Sequence, residues 1–238
     1  MEKGVILLLI TPSLKPQIMR RTATVVIVII ACLTACFGQV SDSKTARVSA
    51  VTETSSIPTD STTYYFPIKS FNGSPTKARL DTFIGTWFST QLFALREPVL
   101  YIDSSQQEVY RFAWLRTFHH PIAIRIQQQA GKVVLFWKLC DGAGGYAPGK
   151  LTIDRQRTLD KKNWDEFIRR LEAIDFWHLT AKGDAAGFDG SEWILEGKSG
   201  GKYHVTERWM PGEKGGYYQC CDYLLSLTDL KIDGREKY

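Results

Sequence analysis

Residues 191–209 read SEWILEGKSGGKYHVTERW, and this stretch decides the fold class. Two runs with β-branched and aromatic residues, 192–196 and 202–209, flank the segment Lys198-Ser199-Gly200-Gly201. A glycine pair tolerates the positive φ angles of a tight turn, so the stretch predicts an antiparallel hairpin.

Upstream of the hairpin, further apolar runs predict strands. Alternating or continuously apolar residues favour extended chain at 99–102, 108–115, 122–126, 133–139 and 151–155. Residues 81–92 fit either a short helix or a strand. Asp81 suits a helix N-cap, whereas Gly85 and the β-branched residues favour extended chain.

Two helices complete the prediction. Asn163 is a good N-cap, with Glu166 at the capping-box position. One helical face then carries Trp164, Phe167, Ile168, Leu171 and Ile174. A second helix is predicted over 217–227. Together these elements predict an α+β domain, mainly an antiparallel sheet with two helices packed on one face.

The N-terminal segment from Met19 reads MRRTATVVIVIIACLTAC and ends at Cys36. Two arginines followed by an uncharged apolar run are typical of a secretory signal. The tetrad Leu33-Thr34-Ala35-Cys36 resembles the lipobox of bacterial lipoproteins. That resemblance implies cleavage before Cys36 and lipidation of its thiol, so residues 1–35 are the signal segment and Met19 is the expected start. An uncleaved transmembrane helix over 22–41 and a chance match are the alternatives.

Residues 36–79 are predicted to form a flexible Ser/Thr-rich tether, and 80–238 a single domain. The lipoprotein resemblance implies a place in the bacterial cell envelope, anchored to a membrane on the extracytoplasmic side. From Asp81 onward the chain holds 21 basic and 21 acidic residues, so its net charge is zero. A neutral domain argues against nucleic acid as a partner.

Cys140, Cys220 and Cys221 remain after the signal and the lipidated cysteine are set aside. Two alternatives stay open: a disulfide between Cys140 and Cys220 or Cys221, or three buried thiols. No cysteine spacing is typical of zinc, and no motif indicates a metal site or a cofactor.

The densest polar cluster lies on the predicted hairpin. Alternation along the second strand places His204 and Arg208 on one face and Glu207 on the other. Together with Glu192 or Glu196 across the hairpin, these side chains would suit anion binding or acid–base chemistry. The alternative is a solvent-exposed ladder of opposite charges.

The same region also resembles a pattern in uncharacterised bacterial proteins: D-G-x-x-W-x-L-E, then Y-H-V, then R-W-x-P. Here it reads DGSEWILE, YHV and RWMP, between Asp189 and Pro211. The resemblance implies a folded module but no catalytic residue. Without a recognisable nucleophile, the sequence favours a non-catalytic binding module for a small ligand, glycan or envelope protein. An envelope hydrolase using His204, Glu207 and Arg208 is one alternative, and a structural or assembly factor is another.

Overall fold

A computed structural model describes residues 57–71, 78–105 and 107–238. The chain divides into two compact units, and all described residues belong to the second, Thr54–Tyr238. The signal segment, Met19, Cys36 and most of the predicted tether lie outside the described residues. None of the helices in the described part is long and apolar enough to cross a membrane.

The elements follow one another as a helix, four strands, a helix, a hairpin and a last helix. Their bounds are α1 Ala78–Ala94, β1 Glu108–Arg116, β2 Ile122–Gln129, β3 Lys132–Cys140, β4 Leu151–Leu159, α2 Lys161–Ala173, β5 Ser191–Ser199, β6 Lys202–Trp209 and α3 Gly216–Ser226. The strands form one antiparallel sheet in the order β4-β3-β2-β1-β5-β6. The predicted α+β class with an antiparallel sheet is therefore confirmed.

Both faces of the sheet are covered. On one face, Phe112, Trp114 and Trp193 form a first core cluster with α2 and α3, the two predicted helices. On the other face, Ala113 and Ile194 belong to a second core cluster that α1 covers. Neighbouring strand residues point to opposite faces, so each strand contributes to both clusters and the sheet is the middle of three layers.

Residues 81–92 lie within helix α1, which settles the alternative that the sequence leaves open. Gly85 and the β-branched residues weaken its helical propensity, but Phe88 and Leu92 on α1 are completely buried in the second cluster. Tertiary packing of this kind overrides a weak propensity.

The strand predicted over 99–102 does not form. The carbonyls of Glu97 and Pro98 accept hydrogen bonds from the side chains of Tyr65 and Arg111, at 2.9 and 2.7 Å. The connection after α1 is therefore held to the face of the sheet by side chains and does not pair as a strand.

The N-terminal end of the described chain also packs on the domain. Tyr65, Phe66 and Phe71 are buried in the second core cluster. They lie in the stretch predicted as tether, so the packed part of the chain reaches further toward the N-terminus than residue 80.

Helix α2 begins two residues before the predicted N-cap Asn163. Asp160 occupies the N-cap position instead, in an extended conformation. Glu166 does not close a capping box, because its carboxylate accepts hydrogen bonds from Arg169 and Arg170 at 2.7–2.8 Å. The predicted apolar face is correct, and its buried residues are Trp164, Phe167 and Leu171.

Gly197 allows an aromatic ring to lie directly over β5. It pairs with Tyr110 across the sheet, and a Cβ atom added to it would lie only 2.4 Å from Cδ1 of that ring. We expect Gly197→Ala to lower the free energy of unfolding by about 1–3 kcal/mol, since the added methyl must displace a buried ring. Urea unfolding of the full-length protein would measure this change.

The matched control is Gly212→Ala, because a Cβ atom at that position meets nothing within 4 Å. If both variants were equally stable, the close packing of Tyr110 on Gly197 would not contribute to the free energy of unfolding.

Candidate functional site

The β5–β6 hairpin places the predicted polar residues on opposite faces of the sheet. His204 packs against Phe176 on the face of the first cluster, with ring centroids 5.1 Å apart. Glu207 pairs with Ile194, a residue of the second cluster, and is 1 % exposed. His204 and Glu207 therefore lie on opposite faces of the sheet. The alternation along β6 predicts this separation.

Arg208 has local hydrogen-bond partners, whereas Nε2 of His204 is buried without one among the described residues. Burial lowers the pKa of His204, and within the described residues no carboxylate hydrogen-bonds to its ring. The guanidinium of Arg208 donates to Thr180 O and Thr206 Oγ1 at 3.0 and 2.6 Å. Its carbon Cζ lies 5.3 Å from the ring centroid of Tyr217. These contacts fix the hairpin to the preceding loop and to α3.

Glu196 belongs to a buried ionic cluster, which consists of Glu97, Arg111, Arg125, Lys138 and Glu196. Arg111 Nε donates to Glu196 Oε1 at 2.6 Å, and Tyr203 donates to the other carboxylate oxygen at 2.8 Å. On the opposite side, the Glu97 carboxylate lies 3.1 Å from Arg125 Nε and 3.4 Å from Lys138 Nζ.

The three cations of the ionic cluster face its two carboxylates, and a third carboxylate, that of Asp154, lies 4.0 Å from Lys138 Nζ. Burial by itself would raise the pKa of Glu97, but Arg125, Lys138 and Arg111 together hold it at about 2. All five side chains are almost completely buried. Their polar atoms are directed at each other and at nearby carbonyls, so the cluster holds the fold together and presents no free group to a substrate.

Glu192 and Glu207 form a buried carboxyl pair. Glu192 Oε2 and Glu207 Oε1 are buried and find no hydrogen-bond donor among the described residues, and Lys182 Nζ lies 3.1 Å from Glu207 Oε2. Burial, together with the neighbouring Glu207, raises the pKa of Glu192 to about 9. One proton is therefore shared by the pair at neutral pH, and the exposed ladder of charges is not what the hairpin carries.

The cysteines in the described part of the chain, Cys140, Cys220 and Cys221, are free and buried. Cys140 belongs to the second core cluster, whereas Cys220 and Cys221 belong to the first. The sheet separates the two groups, so the disulfide of Cys140 with Cys220 or Cys221 is wrong and the alternative of three buried thiols is observed. Burial raises the pKa of Cys220 to about 12, which keeps that thiol protonated.

An aromatic groove lies at the edge of the α1 layer. We use this name for the cavity of about 290 Å³ lined by Phe83, Trp87, Thr117, Gly145, Tyr146 and Phe188. Phe83 and Tyr146 are 66 % and 65 % exposed, and Phe188 is fully exposed. The lining of the aromatic groove contains no charged side chain.

The glycine-rich loop 142–149 forms one wall of the groove. Trp87 Nε1 donates to Gly144 O, and Gln91 Nε2 donates to Tyr146 O, both at 2.9 Å. A Cβ atom at Gly145 would lie 2.8 Å from the backbone of Thr117, so glycine lets the loop lie directly on the chain after β1. Helix α1 thereby fixes the position of Tyr146.

Sequence reasoning recognised only part of this groove. No local pattern predicts that Phe83 and Phe188 belong to one site. The members come from four separate parts of the chain and share no periodicity. Only the unusual density of aromatic residues, which are 12 % of the chain, pointed to an aromatic surface.

The chain matches no protein-family model, and no curated protein is significantly similar to it. Within the described ranges, no three His, Cys, Asp or Glu side chains come together in a group that could hold a metal ion. A functional assignment therefore depends on the geometry of the sites alone.

The shared proton gives the protein's stability a dependence on pH. Glu192 has a pKa of about 9 in the folded state against 4.5 for the free group, so unfolding releases a proton between these values. The free energy of unfolding should therefore decrease as the pH rises from about 4.5 to about 9. Glu192→Gln needs no proton to hydrogen-bond to Glu207, so this variant should be more stable than the wild type at pH 8 and depend less on pH.

Urea unfolding at pH 5 and pH 8 checks this expectation. Glu213→Gln, at an exposed position after β6, serves as the control that leaves the pH dependence unchanged. A Glu192→Gln variant with the same pH dependence as the wild type would contradict the shared proton.

Proposed function

We propose that the protein is a lipid-anchored component of the bacterial cell envelope whose domain is a non-catalytic binding module for a neutral glycan. The observation that supports the binding role is the aromatic groove. Exposed aromatic rings that line a concave surface are typical of ligand-binding sites.

The chemistry of the groove favours a saccharide. Phe83, Trp87, Tyr146 and Phe188 offer ring faces on which the C–H side of a sugar ring packs. The lining is uncharged, so an ionic ligand would lose its hydration without gaining a charged partner. Thr117 also lines the groove, and its hydroxyl, which accepts from Gly190 N, keeps a hydrogen to donate to a sugar oxygen.

The placement of the hairpin residues supports binding over hydrolysis. An acid–base pair needs its members within hydrogen-bond reach of one substrate atom. His204 and Glu207 point to opposite faces of β6, and the guanidinium of Arg208 bonds to Thr180 and Thr206.

Removing the exposed rings should weaken glycan binding while leaving the fold intact. We expect Phe83→Ala and Phe188→Ala each to lower the affinity for a chitotetraose probe about fivefold, since each variant loses one stacking surface worth about 1 kcal/mol. Titration of the full-length protein in lipid nanodiscs, followed by NMR or calorimetry, measures the affinity.

Ile102→Ala is the matched control, because Ile102 is 57 % exposed but does not line the groove. Equal binding by all variants would show that the sugar binds elsewhere. No binding by the wild type would remove the glycan from the proposal.

The anchor is tested by intact mass. Protein extracted from membranes should begin at Cys36 and carry the added mass of acyl chains, because the lipobox cysteine is the expected lipidation site. Retention of residues 22–35 would contradict the anchor. In a Cys36→Ser variant the signal should stay uncleaved by the lipoprotein route.

A further inference from the structure

A second cavity lies on the other side of the sheet, beside the first core cluster. It has a volume of about 440 Å³. It lies between α2, the short helical turn Phe176–His178, the start of β1 and the end of β5. The ring of Tyr110 is central to it, with the rings of Trp164 and Trp177 at centroid distances of 5.8 and 6.3 Å.

Carboxylates surround these rings. Glu108, Glu172 and Asp175 all line the cavity, and its lining contains no lysine or arginine. Glu108 accepts a hydrogen bond from Ser199, and Asp175 bonds to the ring of His178 at 2.7 Å. Besides burial, both Glu108 and Glu172 raise the pKa of Tyr110, as expected for two carboxylates near this ring.

Trp164 leaves a donor unused in this cavity. Its side chain is only 5 % exposed, but its indole nitrogen is not fully enclosed, and among the described residues the N–H makes no hydrogen bond to the protein. Trp87, Trp114, Trp137 and Trp193, by contrast, each donate to an oxygen of the protein. A buried indole normally finds such a partner, so the unused N–H of Trp164 points to solvent or a ligand.

We propose that this acidic aromatic cavity is a binding site for a small organic cation, an alkylated ammonium ion such as choline. It is a second site, independent of the aromatic groove and of the glycan proposed for it.

The combination of rings and carboxylates selects this ligand class. An alkylammonium ion gains from the negative face of an accessible indole ring, here that of the partly exposed Trp177, and from nearby carboxylates at the same time. A hydrated metal ion would leave the apolar ring faces unused, and an anion would be repelled by Glu108, Glu172 and Asp175. A neutral apolar molecule would gain the stacking but none of the electrostatic attraction.

Choline and its neutral isostere 3,3-dimethylbutan-1-ol separate these contributions. The full-length protein in phosphatidylglycerol nanodiscs, which carry no choline, would be titrated with each probe while tryptophan fluorescence and calorimetry are recorded. We expect choline to bind at least about tenfold more tightly than the isostere. Equal affinities would overturn the cation as the ligand class, and no binding of choline up to about 10 mM would overturn the site.

Two variants locate the binding. Trp177→Ala removes one ring, and the double variant Glu172→Gln, Asp175→Asn removes two charges at exposed positions. Asparagine also tolerates the left-handed backbone at position 175, where φ is 51°. Each variant should weaken choline binding about fivefold to tenfold.

Asp165→Asn is the matched control, because Asp165 is an exposed carboxylate on the same helix that does not line the cavity. It should bind choline like the wild type. If it weakened binding as much as the double variant, the effect would be the general charge of the helix and the cavity would not be the site.

Discussion

The carboxylate of Glu97 is buried between α1 and the sheet, where a charge without a partner would cost several kcal/mol. Three neighbouring strands each supply one cation to it: Arg111 from β1, Arg125 from β2 and Lys138 from β3. These cations reach one carboxylate only if the strands keep their register and point the same residues to the same face. Glu196 then balances Arg111 from β5. The need to neutralise Glu97 therefore couples the connection after α1 to four strands.

This coupling determines where the two candidate sites form. Because the connection after α1 is tied to the sheet, α1 lies over the second core cluster, and Trp87 can reach the carbonyl of Gly144. That contact positions the wall of the aromatic groove. On the opposite face α2 and α3 cover the sheet, and the second cavity lies between α2, the turn Phe176–His178 and the ends of β1 and β5. The groove and the cavity are thus consequences of how each face is covered.

Local pattern was sufficient to predict the hairpin, the α2 face and most strands, because each of these elements buries a periodic set of its own side chains. Helix α1 could not be assigned, since Gly85 disfavours a helix and the burial of Phe88 that stabilises it depends on residues far away in sequence. The same gap affects the candidate site. Alternation correctly separated His204 from Glu207, but without α1 the face of Glu196 and Glu207 was expected to be open to solvent, and its carboxylates are in fact buried.

The distribution of charge explains why the two sites should differ in ligand. From Asp81 onward the chain carries 21 acidic and 21 basic residues, and seven of these side chains are buried in the ionic cluster and the carboxyl pair. The groove at the edge of α1 is left with rings and backbone, so recognition there must come from stacking and shape. The cavity beside α2 keeps Glu108 and Glu172, which no lysine or arginine among the described residues neutralises. A cation would compensate the negative charge of these two carboxylates. Because aromatic rings surround them, an organic cation fits better than a metal ion.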